Sequence, residues 1–176
     1  DNQVARLTHI NVSFFDVAAG GTGLTHPYDD AALTAFLDRL RDQSNRYGVK
    51  MLAAVGGWAY ANPTADGFCD YVSAAATPAS RAAFAEQAQT QLDAMCDNDG
   101  ARCFDGFDLD LEYIGQSVDA GSSCTDGDPD SVVHQIPDFE RAAQFRDLLI
   151  ELRGHFDLLT IAGPGALYSL KFGWSV

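Results

Sequence analysis

Apolar positions recur with two different spacings along this chain, and the two spacings alternate. Residues 7–15 mix β-branched and aromatic side chains (Ile10, Val12, Phe14, Phe15) and read as a strand. Over 29–47 the apolar residues Leu33, Phe36, Leu37 and Leu40 fall at i, i+3, i+4 and i+7, the stripe of an amphipathic helix. Asp29 or Asp30 can cap its start and Gly48 can end it. Residues 49–55 are short and almost wholly apolar, as in a strand of a covered parallel sheet. Turn signals at Asn62-Pro63 and Asp66-Gly67 make 59–76 irregular. Thr77-Pro78 opens a second helix, reaching about Met95, with Ala85, Ala88, Leu92 and Met95 on one side. Residues 105–113 return to a period of two. A third helix over 138–153 is striped by Phe145, Leu148, Leu149 and Leu152 and stopped by Gly154. A last strand, 158–162, runs into Gly163-Pro164-Gly165.

The predicted order is β-α-β-α-β-α-β. Strands alternating with helices imply right-handed crossovers and a parallel sheet. The fold class is therefore α/β, and about four such units amount to half of a (β/α)8 barrel. In barrels, chemistry collects at the C-terminal ends of the strands. Gly56 and Gly57 lie at such an end, where missing side chains let other atoms approach the backbone. Trp58 stands beside that opening and is a candidate ligand contact.

The segment at 105–113 changes the picture most. Phe107, Leu109 and Leu111 alternate with Asp108, Asp110 and Glu112, so a strand would put its apolar row against helices and its three carboxylates on the opposite face. Same-face neighbours on a strand lie roughly 6–7 Å apart, twice the residue rise. Three acids in such a row do not ionise independently: each loses water, and each opposes the charge of the next. A Glu at the end of the row, kept partly protonated, is a competent general acid. Asp105 starts the stretch and is expected to be structural, accepting hydrogen bonds where the strand enters. Tyr113 is a packing residue or a substrate contact.

Composition narrows the partners. The chain has 176 residues, 47% hydrophobic, with 25 acidic against 11 basic residues and a formal net charge of -14. That balance argues against nucleic-acid phosphates and suits an uncharged partner. No apolar run reaches the ~18 residues of a membrane span. The start, Asp1-Asn2-Gln3, is not a signal peptide. Four cysteines, Cys69, Cys96, Cys103 and Cys124, allow three full pairings. Cys96 and Cys103 bracket the turn-rich loop 97–102, a short closure; Cys69 with Cys124 would then join two loops on one rim. Two disulfides imply a secreted protein, four free thiols a cytosolic one. No Cys or His spacing suits zinc, and no metal or cofactor is expected. Gly20-Gly21-Thr22-Gly23 lacks the spacing of a phosphate-binding loop. Asp126 to Asp130 echo part of a calcium loop, without its glycine spacing or closing Glu.

Residues 105–113 resemble the signature of glycoside hydrolase family 18, the chitinases and their relatives: Asp-Gly-x-Asp-x-Asp-x-Glu, matched at every fixed position. Ala54-Val55-Gly56-Gly57-Trp58 is similar to the family's Ser-x-Gly-Gly motif, with Ala54 standing where Ser is usual. Leu111 stands where Trp is common, and Ile114 where Pro is frequent. Residues 7–15 and 158–164 resemble the family's second and fifth barrel strands. The resemblance implies units two to five of the barrel, with the first strand and the last three outside this chain, and an inactive piece on its own. It further implies cleavage of β-1,4-linked N-acetylglucosamine polymers, chitin above all, by a substrate-assisted retaining route. On that route Glu112 is the general acid, Asp110 holds the acetamido N–H, and Asp108 tunes Asp110. Trp58, Gly56, Gly57 and Tyr113 would line the sugar site. Two other outcomes are compatible with the same resemblance: an endo-β-N-acetylglucosaminidase acting on N-glycans, and a non-catalytic carbohydrate-binding relative.

Overall fold

The structure is a computed structural model that describes residues 3–60, 66–96, 102–111 and 138–162. Among these residues five strands form one open sheet. In chain order they are β1 (His9–Val17), β2 (Leu24–Thr25), β3 (Lys50–Gly56), β4 (Gly106–Asp110) and β5 (Leu158–Ala162). Among the described residues four α-helices connect or flank them: α1 (Asp30–Tyr47), α2 (Asp66–Ala75), α3 (Pro78–Asp93) and α4 (Asp138–His155). The sheet order is β2-β1-β3-β4-β5, and β1, β3, β4 and β5 run parallel. The α/β alternation read from the sequence holds, with the sheet unclosed.

Local chemistry explains the helix starts. Asp29 accepts a hydrogen bond from the Ala32 N–H at 2.9 Å, and Gly48 ends α1 at φ 68°. Thr77 and Ser80 cap α3 reciprocally, with Pro78 in the first turn. On α1, Leu33 and Leu37 are buried, but Phe36 is exposed. The buried stripe is thus narrower than its periodicity suggests. Helix α4 passes through Gly154 to His155 rather than stopping at the glycine.

Two elements were not anticipated. Helix α2 occupies a stretch whose turn signals made it read as irregular. Its buried residues Phe68, Tyr71, Val72 and Ala75 follow helical spacing, so burial of that stripe outweighs the local Asp66-Gly67 cue. Directly after Gly20-Gly21-Thr22-Gly23 the chain forms β2, paired antiparallel to β1. The Gln91 side chain on α3 bonds both backbone groups of Leu24, at 2.7 and 3.2 Å, and so satisfies this short edge strand. Gly21 is required there, because a Cβ would lie 2.4 Å from the Ala74 backbone nitrogen on α2.

The core fills the space between the sheet and the helices. Phe107 meets Phe84 of α3 and Phe156, with ring centroids 6.5 and 5.2 Å apart. Leu109 and Leu111 are buried on the same side. Arg81 is buried, yet it donates to the Ala75 carbonyl at 2.7 Å and approaches Asp147 at 3.6 Å, tying α2, α3 and α4 together. Cys96 and Cys103 form a disulfide between the end of α3 and the approach to β4. Cys69 is also disulfide-bonded; Cys124, its expected partner, lies outside the described residues.

Candidate active site at the strand ends

The alternation in β4 separates the two faces as the sequence implies. Phe107 and Leu109 enter the core, whereas Asp108 and Asp110 occupy the opposite, open face of the sheet. Asp108 is only 7% exposed there. Burying a carboxylate is costly without partners, and Asp108 has them. Asn11 donates to its Oδ2 at 3.0 Å, and the Thr160 hydroxyl donates to its Oδ1. Asn11 lies on β1 and Thr160 on β5, so three strands hold one carboxylate. On β3 the register partner of Asn11 is Leu52 and that of Asp108 is Ala54, so the Asn11–Asp108 bond crosses β3 obliquely.

The glycine turn meets the end of this acid row. Gly56 is the register partner of Asp110, and the Gly57 N–H donates to the Asp110 carbonyl at 3.0 Å. Both glycines have positive φ, 109° and 89°. A Cβ on Gly56 would lie 2.4 Å from the Asp110 carbonyl oxygen and 2.4 Å from the Tyr71 hydroxyl; one on Gly57 would press on the Phe14 ring at 3.0 Å. Only glycine fits either position. Trp58 follows, 63% exposed at the lip.

Further groups gather here that the sequence reading did not single out. Tyr71, fully buried on α2, donates its hydroxyl to the Val55 carbonyl at 2.5 Å. Its pKa is pushed well up by burial first, then by Tyr60, Asp110, Asp16 and Asp108. The Tyr60 hydroxyl bonds the Val17 carbonyl and lies 3.2 Å from Asp70. Burial, then Asp70 and Asp16, raise its pKa. Asp16 sits at the end of β1, and burial raises its carboxyl above the usual range. Its signal was present in the strand: Phe15 and Val17 are buried on either side of it, so Asp16 takes the open face. Asn11 and Thr160 carry the same kind of signal, each being polar between two apolar strand residues.

Asp105 lies at the other end of β4, away from this mouth. It accepts from Arg41 at 2.5 Å, Lys50 at 3.1 Å and the Met51 N–H at 2.9 Å. Burial pushes its pKa up, but the hydrogen bonds from Arg41, Met51 and Lys50 outweigh that and hold it below the usual carboxylate range. Glu112 and Tyr113 lie outside the described residues, as do Asp126 to Asp130. Among the described residues, no cluster of three His, Cys, Asp or Glu is arranged for a metal ion, and no helix is long and apolar enough to cross a membrane.

Comparison with known proteins gives a consistent result. The sequence model described as glycosyl hydrolases family 18 matches residues 1–172. Chitinase B of Serratia marcescens is 34% identical over 116 residues, covering 61% of this chain and 21% of that protein. An endochitinase of Manduca sexta is 30% identical over 178 aligned positions, covering 100% of this chain and 28% of that protein. The chain thus spans less than a third of either relative. Catalytic domain 2 of the Ostrinia furnacalis Group II chitinase superposes with a TM-score of 0.67 at 23% identity, over 94% of this chain and 38% of that one. A chitinase from Trichuris suis gives 0.62 at 18% identity, over 98% of this chain and 39% of that one. At these identities the superpositions speak to the fold.

Proposed function

The chain belongs to glycosyl hydrolase family 18, and from that premise we propose that it carries the acid centre of a secreted, chitin-hydrolysing glycosidase. The observation that carries this reading is the placement of Asp108 and Asp110 on one open sheet face, with Asp108 clamped by Asn11 and Thr160 and Asp110 backed by the Gly56-Gly57 turn. The rest of the barrel is taken to lie outside this sequence, in keeping with the share of each relative that it spans. The four parallel strands by themselves form an open sheet and are expected to be inactive. The disulfides favour an oxidising, extracellular setting.

Chemically, Glu112 follows Asp110 by two residues and continues the same row in sequence. It gives its proton to the glycosidic oxygen as the bond to the anomeric carbon breaks. The acetamido oxygen of the same sugar attacks that carbon from the other face. Asp110 accepts a hydrogen bond from the acetamido N–H and stabilises the positive charge that develops on the ring. Asp108, held by neutral donors on two other strands, is the fixed member against which Asp110 is set. Glu112 then takes a proton from water as the intermediate opens, so configuration is retained. Trp58 offers an apolar face to a pyranose ring.

The test is to incubate the full-length protein with N-acetylglucosamine oligomers and with glucose oligomers of the same linkage. The proposal expects turnover of the first and none of the second. Comparable cleavage of both removes substrate assistance. Saturable binding without cleavage makes the protein a lectin-like relative. Cleavage confined to a high-mannose glycoprotein moves the substrate to N-glycans.

A further inference from the structure

Several buried side chains near the acid row take no part in the chemistry above. Tyr71 stands out. It lies on α2, on the helix side of the sheet, and is completely buried. Its ring packs among Tyr60 and Phe145, with centroids 6.3 and 6.4 Å away. Its hydroxyl nevertheless reaches the end of β3 and donates to the Val55 carbonyl at 2.5 Å. That contact sits where the β1–β3 register shifts, between Val12 and Phe15, so the ladder there is irregular. One residue further on, Gly56 is bare on the side where the Tyr71 hydroxyl and the Asp110 carbonyl converge; a Cβ would be 2.4 Å from each. The next residue, Gly57, closes the loop by donating to that same Asp110 carbonyl. A continuous path of contacts therefore runs from the Tyr71 hydroxyl through Val55, Gly56 and Gly57 to the backbone of Asp110.

We propose that Tyr71 is a positioning residue for the glycosidase centre: its hydroxyl seats the Gly56-Gly57 turn, and the turn fixes the backbone from which the Asp110 carboxylate projects. This inference rests on the reading of the acid row as a hydrolytic centre. Tyr71 touches no substrate. It acts by holding the height and angle of Asp110, a tolerance that matters because small displacements of a catalytic group are costly in rate. Burial first, then Tyr60, Asp110, Asp16 and Asp108, opposes ionisation of the Tyr71 hydroxyl, so it remains a donor.

The decisive comparison uses the full-length protein with Tyr71→Phe and Phe145→Leu. The first removes one oxygen and keeps the ring. The second loosens the packing beside the ring and keeps the oxygen. Both are assayed on N-acetylglucosamine oligomers well below their melting temperatures. For Tyr71→Phe, kcat is expected to fall about tenfold or more while KM stays within about twofold. For Phe145→Leu, the melting temperature drops but kcat and KM stay within about twofold of wild type. A folded Tyr71→Phe protein with wild-type kcat overturns the proposal, as does an equal kcat loss in Phe145→Leu. Should Tyr71→Phe not fold, Tyr71→Met supplies the readout, because it also removes the hydroxyl while a flexible side chain fills the space; a folded Tyr71→Met protein with wild-type kcat overturns the proposal too. A wild-type protein inactive on these oligomers sinks the underlying reading of function instead, so the two failures are distinct.

Discussion

Replacing Asp105 by Ala should cost the fold about 3 kcal/mol and should do so through its base, not its mouth. The carboxylate is only 16% exposed and accepts from Arg41, Lys50 and the Met51 N–H. Losing it strands the buried Met51 N–H, at about 1–3 kcal/mol. Arg41 loses a charge-assisted bond worth about 1.5–3 kcal/mol. Lys50, with its side chain 56% exposed, loses at most about 1 kcal/mol. The sum is an upper bound. A cavity of about 480 Å³, lined by His9, Arg41, Lys50, Arg102 and Asp157 among others, adjoins the carboxylate and lets water replace part of what is lost. The assay is urea unfolding of the full-length protein. With a slope near ~3 kcal/mol per M, the midpoint falls by roughly 1 M at an unchanged slope. A pH series adds a sign. The folded pKa of Asp105 lies below its unfolded value of 3.8, so its stabilisation is fully present above that value and disappears as pH falls through the folded pKa. The gap between wild type and variant should therefore be constant near neutrality and narrow once pH drops below about 4. A midpoint shift under roughly 0.3 M, or a gap that widens in acid, refutes the reasoning.

Other outcomes follow from the same contacts. Asn11→Ala should lower kcat more than it lowers stability, costing about 1 kcal/mol in urea, since it frees one oxygen of Asp108 while leaving Thr160 in place; equal kcat in variant and wild type contradicts the clamp. Cys96→Ser with Cys103→Ser should destabilise by about 2–3 kcal/mol, read as a loss of melting temperature; since the Cys69 disulfide persists in the variant, reducing agent should lower wild type by more than it lowers the variant. Phe107→Ala should cost about 3–5 kcal/mol, because the ring is fully buried between Phe84 and Phe156; a smaller loss places that ring outside the core.

Much of this fold is legible in the sequence because its strands and helices carry unambiguous periods. Residues 107–111 show why: with Phe, Leu and Leu on one parity and two Asp on the other, only one strand orientation buries the apolar set. The cap at Thr77-Pro78 and the stop at Gly48 are equally local. What stayed hidden depends on contacts distant in sequence. Asp66-Gly67 is a turn signal by itself, and α2 forms because Phe68, Tyr71 and Val72 find the sheet. Gly154 lowers helix propensity, yet α4 continues one residue past it. At the site, the acid row and the glycine turn were visible as motifs. The partners of Asp108 were not, because Asn11 is separated from it by 97 residues and Thr160 by 52. No local pattern states which polar strand residue will face which acid; the sheet register does.

The proposed mechanism requires Glu112 as its proton donor. Its most direct test is Glu112→Gln in the full-length protein, with initial rates on an N-acetylglucosamine oligomer and urea melts in parallel. Loss of a general acid predicts a kcat lower by about 10²–10⁴-fold, with oligomer affinity and stability little changed. Turnover within about tenfold of wild type, in a protein folded equally well, contradicts it.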